Sequence, residues 1–131
     1  MMSRNIRSTH PSEHQIQSAI VQWCDTHYLE IGMYLIKITN EGKRTFCTAK
    51  RFKQEGMKKG VADLFLALPV CNDKTEYKKC GLWIEVKSHK GVLSKEQRDF
   101  MEMVKWAGYS AVVVRSVDEG IQAIKDYLEL K

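Results

Sequence analysis

Three polar side chains stand in otherwise apolar surroundings. Asp63 precedes the run Leu64-Phe65-Leu66-Ala67-Leu68, and Glu85 and Lys87 interrupt Leu82-Trp83-Ile84-Glu85-Val86-Lys87. A two-residue spacing on a strand puts Glu85 and Lys87 on one face, about 6–7 Å apart. If the two runs are neighbouring strands, Asp63 can meet Glu85 across the ladder. Two carboxylates and an ammonium so placed suit metal-assisted hydrolysis of a phosphodiester. The carboxylates would hold a hard, octahedral Mg²⁺, with Mn²⁺ as a substitute, which offsets phosphate charge and lowers the pKa of a bound water. The lysine can orient or deprotonate that water and offset charge in the transition state. The competing reading of Glu-x-Lys is a solvated ion pair on a half-exposed strand. Asp63 on a preceding apolar strand, with a basic stretch abutting it, argues for the chemical one.

The elements that must position these residues can be read from periodicity. Ser12-x-x-Gln15 is a capping-box pattern followed by Ile16, Ala19, Ile20 and Trp23 at helical spacing, which predicts a helix to about Tyr28. Met33 to Thr39 reads as a strand, with a turn at Asn40, Glu41 and Gly42. From Thr45 to Glu55 the period is helical again, with Phe46, Ala49 and Phe52 on one stripe, Lys50, Arg51, Lys53 and Gln54 off it, and Gly56 to end it. Val61 to Leu68 reads as the next strand. The 12-residue polar stretch Pro69 to Cys80 is long for a simple hairpin loop and leaves room for an extension of its own.

Gly81 to Lys87 alternates, with Leu82, Ile84 and Val86 as the buried set. Ser94-x-x-Gln97 opens a helix with Phe100, Met101, Val104 and Ala107 inward and Gly108 at its end; Tyr109 to Arg115 is a buried strand. Ser116-x-x-Glu119 caps a last helix carrying Ile121, Ile124 and Leu128. Trp23, Trp83 and Trp106 fall at core-compatible positions. The order α-β-(α)-β-β-α-β-α predicts an α/β fold with a mixed central sheet flanked by helices.

A chain of 131 residues with 44% hydrophobic and 28% charged residues has the size and composition of one globular domain, 1–131, with residues 1–11 as a flexible N-terminal segment. No apolar run approaches the ~20 residues of a membrane span, and the polar N-terminus has no signal-peptide core. Cys24, Cys47, Cys71 and Cys80 form no C-x-x-C pair; they read as free thiols of a cytoplasmic protein, a Cys71–Cys80 bridge being the alternative. No Walker loop or dinucleotide fingerprint is present, so no organic cofactor is expected. The net charge of +5 is uneven. Residues 37–60 hold eight basic residues, Lys37, Lys43, Arg44, Lys50, Arg51, Lys53, Lys58 and Lys59, against Glu41 and Glu55. That segment is expected to contact phosphate, together with Lys90.

These residues also carry a resemblance. The element order resembles the αβββαβ core of the restriction-endonuclease-like, or PD-(D/E)XK, nucleases. Gly60-Val-Ala-Asp63 and the stretch from Leu82 through Glu85, Lys87, Gly91 and Ser94 to Gln97 resemble the VRR-NUC (virus-type replication-repair nuclease) family. By position, the resemblance implies that Asp63, Glu85 and the Val86 carbonyl bind metal and that Lys87 is the catalytic lysine. Glu13 matches the acidic residue that completes such sites, and Gln97 the glutamine on the following helix. Glu13 also reads as a favourable acid in a first helical turn, and Gln97 as the closing member of its capping box. His89 reads as a surface histidine. The family usually has Pro before the aspartate, where this chain has Ala62; proline shapes the backbone without supplying ligand atoms.

The implied function is a Mg²⁺/Mn²⁺-dependent, structure-selective DNA endonuclease cutting branched DNA such as Holliday junctions to leave a 5′-phosphate and a 3′-hydroxyl. Stand-alone members of this size are similar to archaeal junction resolvases that act as homodimers, which implies a homodimer; a virus- or phage-encoded origin is within the family's range. The alternatives are a nonspecific, flap or restriction-type nuclease of the same fold, and a non-catalytic DNA-binding module.

Overall fold

The structure, a computed structural model, describes residues 9–39 and 46–130. The expected turn at 40–42, and Lys43 and Arg44, lie outside the described residues. Helix α1 (Glu13–His27) begins where the sequence signals it: Ser12 Oγ accepts the Gln15 N–H at 3.1 Å and Gln15 Oε1 accepts the Ser12 N–H at 2.8 Å. A short turn of helix, α2 (Leu29–Gly32), leads into β1 (Leu35–Lys37), and α3 (Phe46–Gln54) follows. Then come β2 (Leu64–Leu66), a hairpin of β3 (Val70–Cys71) and β4 (Tyr77–Lys79), and β5 (Leu82–Val86). Helix α4 (Lys95–Trp106), β6 (Ser110–Val114) and α5 (Val117–Leu128) complete the chain. The polar stretch before β5 thus carries its own two-stranded extension.

The main sheet has the order β1-β2-β5-β6. The first two pairings are antiparallel and β5–β6 is parallel, which requires a crossover, supplied by α4. Alternation along the strands then sorts the layers. Leu64, Leu66, Leu82, Ile84 and Val86 turn to one face and pack with Ile16, Ile20 and Cys24 of α1 and Ile124 and Tyr127 of α5. Phe65, Trp83 and Glu85 turn to the other face, where Phe100 of α4 meets Trp83 edge-on at 5.0 Å between ring centroids. The sheet is therefore mixed and flanked by helices, as expected.

Burial acts on two ionisable groups in the core layer. It pushes the Cys24 thiol up to about 11, with Asp25 adding to the effect. It pushes the Tyr127 hydroxyl, which donates to the Leu68 carbonyl at 2.6 Å, up to about 12. All four cysteines are free thiols. Among the described residues no helix is long and apolar enough to cross a membrane.

Several expectations need correction. The strand expected over 61–68 is regular only over Leu64–Leu66. Its ladder with β5 ends there because the Val86 N–H, which a continuing register would aim at Ala62, is taken by the Asp63 carboxylate. Strand β6 is half-buried except at Val114, because it is an edge strand with one neighbour. The stripe of α3 buries nothing among its described side chains: Ala49 is exposed and Phe52 half-buried. Trp106 is 91% exposed. It lies five positions beyond buried Met101, about 140° around the helix, so it faces away from the sheet. Ala107, expected inward, is exposed at the C-cap.

Candidate functional site

The site forms where the β2–β5 ladder stops. In the register that sets Leu64 opposite Ile84 and Phe65 opposite Trp83, the positions next in line, one beyond the last paired residues, are Asp63 and Glu85. Asp63 is held from several directions. Its carbonyl accepts the Ile38 N–H at 2.9 Å, and its Oδ2 accepts the Val86 N–H at 2.8 Å. Just upstream, Ala62 is fully buried. Gly60 has φ +85° and lies so close to the start of α4 that a Cβ would fall 2.3 Å from the Glu96 carbonyl oxygen. Only glycine permits both that backbone angle and that approach. The turn before Asp63 is thereby fixed against α4.

Glu85 is 2% exposed, the one buried charged residue of the described core. Its Oε1 accepts a hydrogen bond from Gln97 Nε2 at 2.9 Å and faces Lys87 Nζ at 3.7 Å. The Lys87 side chain is itself only 12% exposed, and its backbone N–H bonds the Val114 carbonyl on β6 at 2.9 Å. Gln97 has two partners at once. Its Oε1 accepts the Ser94 N–H at 2.9 Å, closing the capping box of α4, while its amide nitrogen reaches Glu85.

Glu13, in the first turn of α1, also reaches across. Its Oε1 accepts the Ser88 N–H at 3.2 Å, just past Lys87. A Cβ on Gly91 would lie 3.3 Å from that same oxygen and 3.3 Å from Lys87 Cδ, so the turn 88–91 wraps closely around both side chains. One residue here was not anticipated from the sequence. Arg115, at the end of β6, donates from Nη1 to the Ser88 carbonyl at 2.9 Å and to the Gly91 carbonyl at 2.6 Å, clamping the turn that carries Lys87. The available signal was a lone cation ending the strand beside the Glu-x-Lys strand, and nothing local distinguishes it. His89 is exposed, as expected, and stacks on His10 with ring centroids 4.1 Å apart.

The donor set can be tested against a metal. Among the described residues no three His, Cys, Asp or Glu side chains converge on one point. Glu13, Asp63 and Glu85 therefore do not build a three-carboxylate cage, and Glu13 serves the Ser88 amide instead. What remains is hard oxygen: Asp63, Glu85 and the Val86 carbonyl. That carbonyl shares its strand edge with the N–H bonded to Asp63. One or two carboxylates, with water and substrate phosphate filling the rest, is the usual Mg²⁺ arrangement, and the residues present fit it.

Of the basic residues, Lys50, Arg51 and Lys53 on α3, Lys58 and Lys59 before Gly60, and Lys90 in the 88–91 turn are all exposed. Arg51 pairs with Glu55 at 3.0 Å in an open setting. A cleft of about 530 Å³ opens beside Glu13 and Asp63, walled by the outward face of α1 and by Lys37, Ile38 and Thr39 at the end of β1.

Comparison with known proteins converges on one family. The profile of the VRR-NUC domain matches residues 1–118. Among solved structures, one described as "VRR_NUC domain protein" superposes with a TM-score of 0.76, covering 92% of this chain and 90% of that one at 24% identity. At that identity the likeness speaks for the fold. No curated protein matches the chain.

Proposed function

The chain belongs to the VRR-NUC domain family, a family of nucleases, and from that premise we propose that it is a Mg²⁺-dependent, structure-selective DNA endonuclease acting on branched DNA such as four-way junctions. The observation that carries the reading is the register that sets Asp63 against Glu85, with Lys87 on the same face as Glu85 and 3.7 Å from it. When bound, Mg²⁺ would neutralise the scissile phosphate and lower the pKa of a water molecule. Asp63, Glu85 and the Val86 carbonyl would hold it. Lys87 faces the reacting group with an ammonium that can donate to a phosphate oxygen or orient the attacking water. Gln97 fixes the Glu85 carboxylate by donating to Oε1, and Glu13 and Arg115 fix the turn after Lys87 from its two sides. A homodimer would set two such sites on one junction, with the duplex arms recognised by their backbone shape.

The test is cleavage of immobile four-way junctions, flaps and linear duplex with Mg²⁺, with Mn²⁺ and with EDTA, alongside a solution mass. Metal-dependent cuts on the junction, absent in EDTA, and a mass of two chains are expected. Equal cutting of all three DNAs would make the enzyme nonspecific. Glu85→Gln and Lys87→Ala should each abolish cleavage while leaving DNA binding in Ca²⁺ near normal. Undiminished cleavage by both variants would mean that this acid–lysine pair is structural.

A further inference from the structure

The cleft leading away from Asp63 and Glu13 is not explained by the hydrolytic residues. Its volume of about 530 Å³ lies within the range of ordinary ligand pockets and is far too small for a duplex. One wall is the outward face of α1, where Gln17, Ser18 and Gln22 recur at helical spacing. From Glu13 at the site to Asp25 at the far end, that wall runs twelve residues, about 18 Å. Asp25 stands at the far end, its Oδ1 lying against Gly32, where there is no room for a Cβ.

The lining chemistry selects the occupant. Three carboxylates, Glu13, Asp63 and Asp25, line the cleft against the Lys37 ammonium and the His14 imidazole, so the acids outnumber the basic groups and its interior disfavours a phosphate. A neutral, flat group with hydrogen-bonding edges meets no such penalty. Gln17 and Gln22 each offer a donor and an acceptor, Ser18 and Thr39 offer hydroxyls, and Val21 and Ile38 give apolar contact. None of the four polar side chains is hydrogen-bonded to another described residue. A nucleobase has that composition. Asp25 would accept from an exocyclic amine, which adenine, cytosine and guanine carry and thymine lacks.

We infer that this cleft is a subsite for one unstacked nucleobase adjoining the scissile phosphate, with the phosphate at the Asp63–Glu85 end and the base lying along α1 toward Asp25. The inference rests on the nuclease reading above and gives its selectivity a cause. A base enters only when unpaired, so branch points and frayed ends are admitted and a closed duplex is disfavoured.

The test places 2-aminopurine, and separately an abasic nucleotide, on each side of the mapped cleavage position in a four-way junction. Binding is read by 2-aminopurine fluorescence in EDTA, and cleavage by kcat/KM in Mg²⁺. For the unsubstituted chain, one of the two positions should show a fluorescence change on binding, and an abasic nucleotide there should lower kcat/KM at least tenfold. In Gln17→Ala/Gln22→Ala, checked for an unaltered melting transition, the fluorescence change and the abasic effect should both vanish. The ratio of junction to duplex cleavage should fall at least tenfold. Asp25→Asn should weaken discrimination against thymine at that position. Abasic junctions cut as fast as intact ones, or a double variant with the original ratio, would overturn the subsite. Failure of the nuclease reading shows separately, as cleavage that survives Glu85→Gln; the fluorescence comparison then decides the subsite alone, for it if the signal depends on Gln17 and Gln22 and against it if not.

Discussion

A carboxylate as buried as Glu85 is tolerable only with partners in place, because burial strips the water that would otherwise solvate its charge. Two partners meet at its Oε1: the Gln97 amide at 2.9 Å and the Lys87 ammonium at 3.7 Å. Gln97 is the informative one, because its two ends do separable work. Gln97→Glu keeps an oxygen to accept the Ser94 N–H, so the α4 cap survives, but it sets a second carboxylate against Glu85. Like charges at that distance raise the pKa of one member of the pair. The acid limb of the cleavage profile should therefore move to higher pH in this variant. Gln97→Ala loses both side-chain bonds, about 1 kcal/mol for the one from the Ser94 N–H and roughly 1–3 kcal/mol for the buried acceptor left on Glu85. Its melting temperature should fall well below that of Gln97→Glu. Thermal melts and pH–rate curves of the two variants check both expectations; superimposable profiles for Gln97→Glu and the parent would show that the bond to Glu85 has no bearing on its ionisation.

At the level of elements, the site depends on how segments are pressed together. Gly60→Ala would put a methyl 2.3 Å from the Glu96 carbonyl at a φ of +85°, so the turn before Asp63 must back away from α4. Cleavage should drop by orders of magnitude with a modest loss of stability, since the core residues on either side are untouched; an active Gly60→Ala would mean the turn is free to move. Tyr127 joins α5 to the end of β2 through the Leu68 carbonyl. Its hydroxyl is raised from about 10 to about 12 in the fold. A raised folded pKa contributes stability that is full below pH 10 and is lost as pH climbs toward 12. Denaturant midpoints should therefore fall over that window more steeply for the parent than for Tyr127→Phe; parallel curves would refute the linkage. The same distinction between local and distant causes explains what the sequence made legible. The capping boxes at Ser12 and Ser94 act within three residues, so they can be read directly. The placing of Asp63 at the Glu85 end of the β2–β5 ladder followed from alternation and one assumed neighbour. The early end of β2, by contrast, depends on a side chain 23 residues from the amide it captures. The Arg115 clamp spans 24 and 27 residues. The exposure of Trp106 depends on which face of α4 the sheet selects. None of these leaves a trace in periodicity.

Over the whole molecule the charge separates into a basic segment and an acidic cluster. The chain carries 21 basic and 16 acidic residues, and the excess lies in the segment that runs through α3 to Lys58 and Lys59 and into the Gly60 turn. Chain continuity sets those two exposed lysines within five residues of Asp63, so a phosphate backbone drawn to the segment is drawn to the mouth of the site. The Arg51–Glu55 pair does not remove Arg51 from this field. Its two side chains are 75% and 55% exposed, and open pairs are worth at most ~1 kcal/mol, so phosphate can displace the carboxylate. The β3–β4 hairpin is a useful control, since it leaves the sheet at the Leu66–Leu82 end, opposite to Asp63 and Glu85, and its Lys78 is paired with Glu129 at 3.1 Å. Each phosphate neutralised adds about 0.9 to the slope of log affinity against log salt on duplex DNA. Replacing Lys50, Arg51 and Lys53 with Gln should therefore flatten that slope by up to about 2.7 units, while Lys74→Gln and Lys78→Gln leave it unchanged. A junction titrated from low to moderate salt in Ca²⁺ gives the measurement without cleavage. If the hairpin variants flatten the slope and the α3 variants do not, the DNA approaches over the far end of the sheet, and the basic segment is a solvated face with no part in recognition.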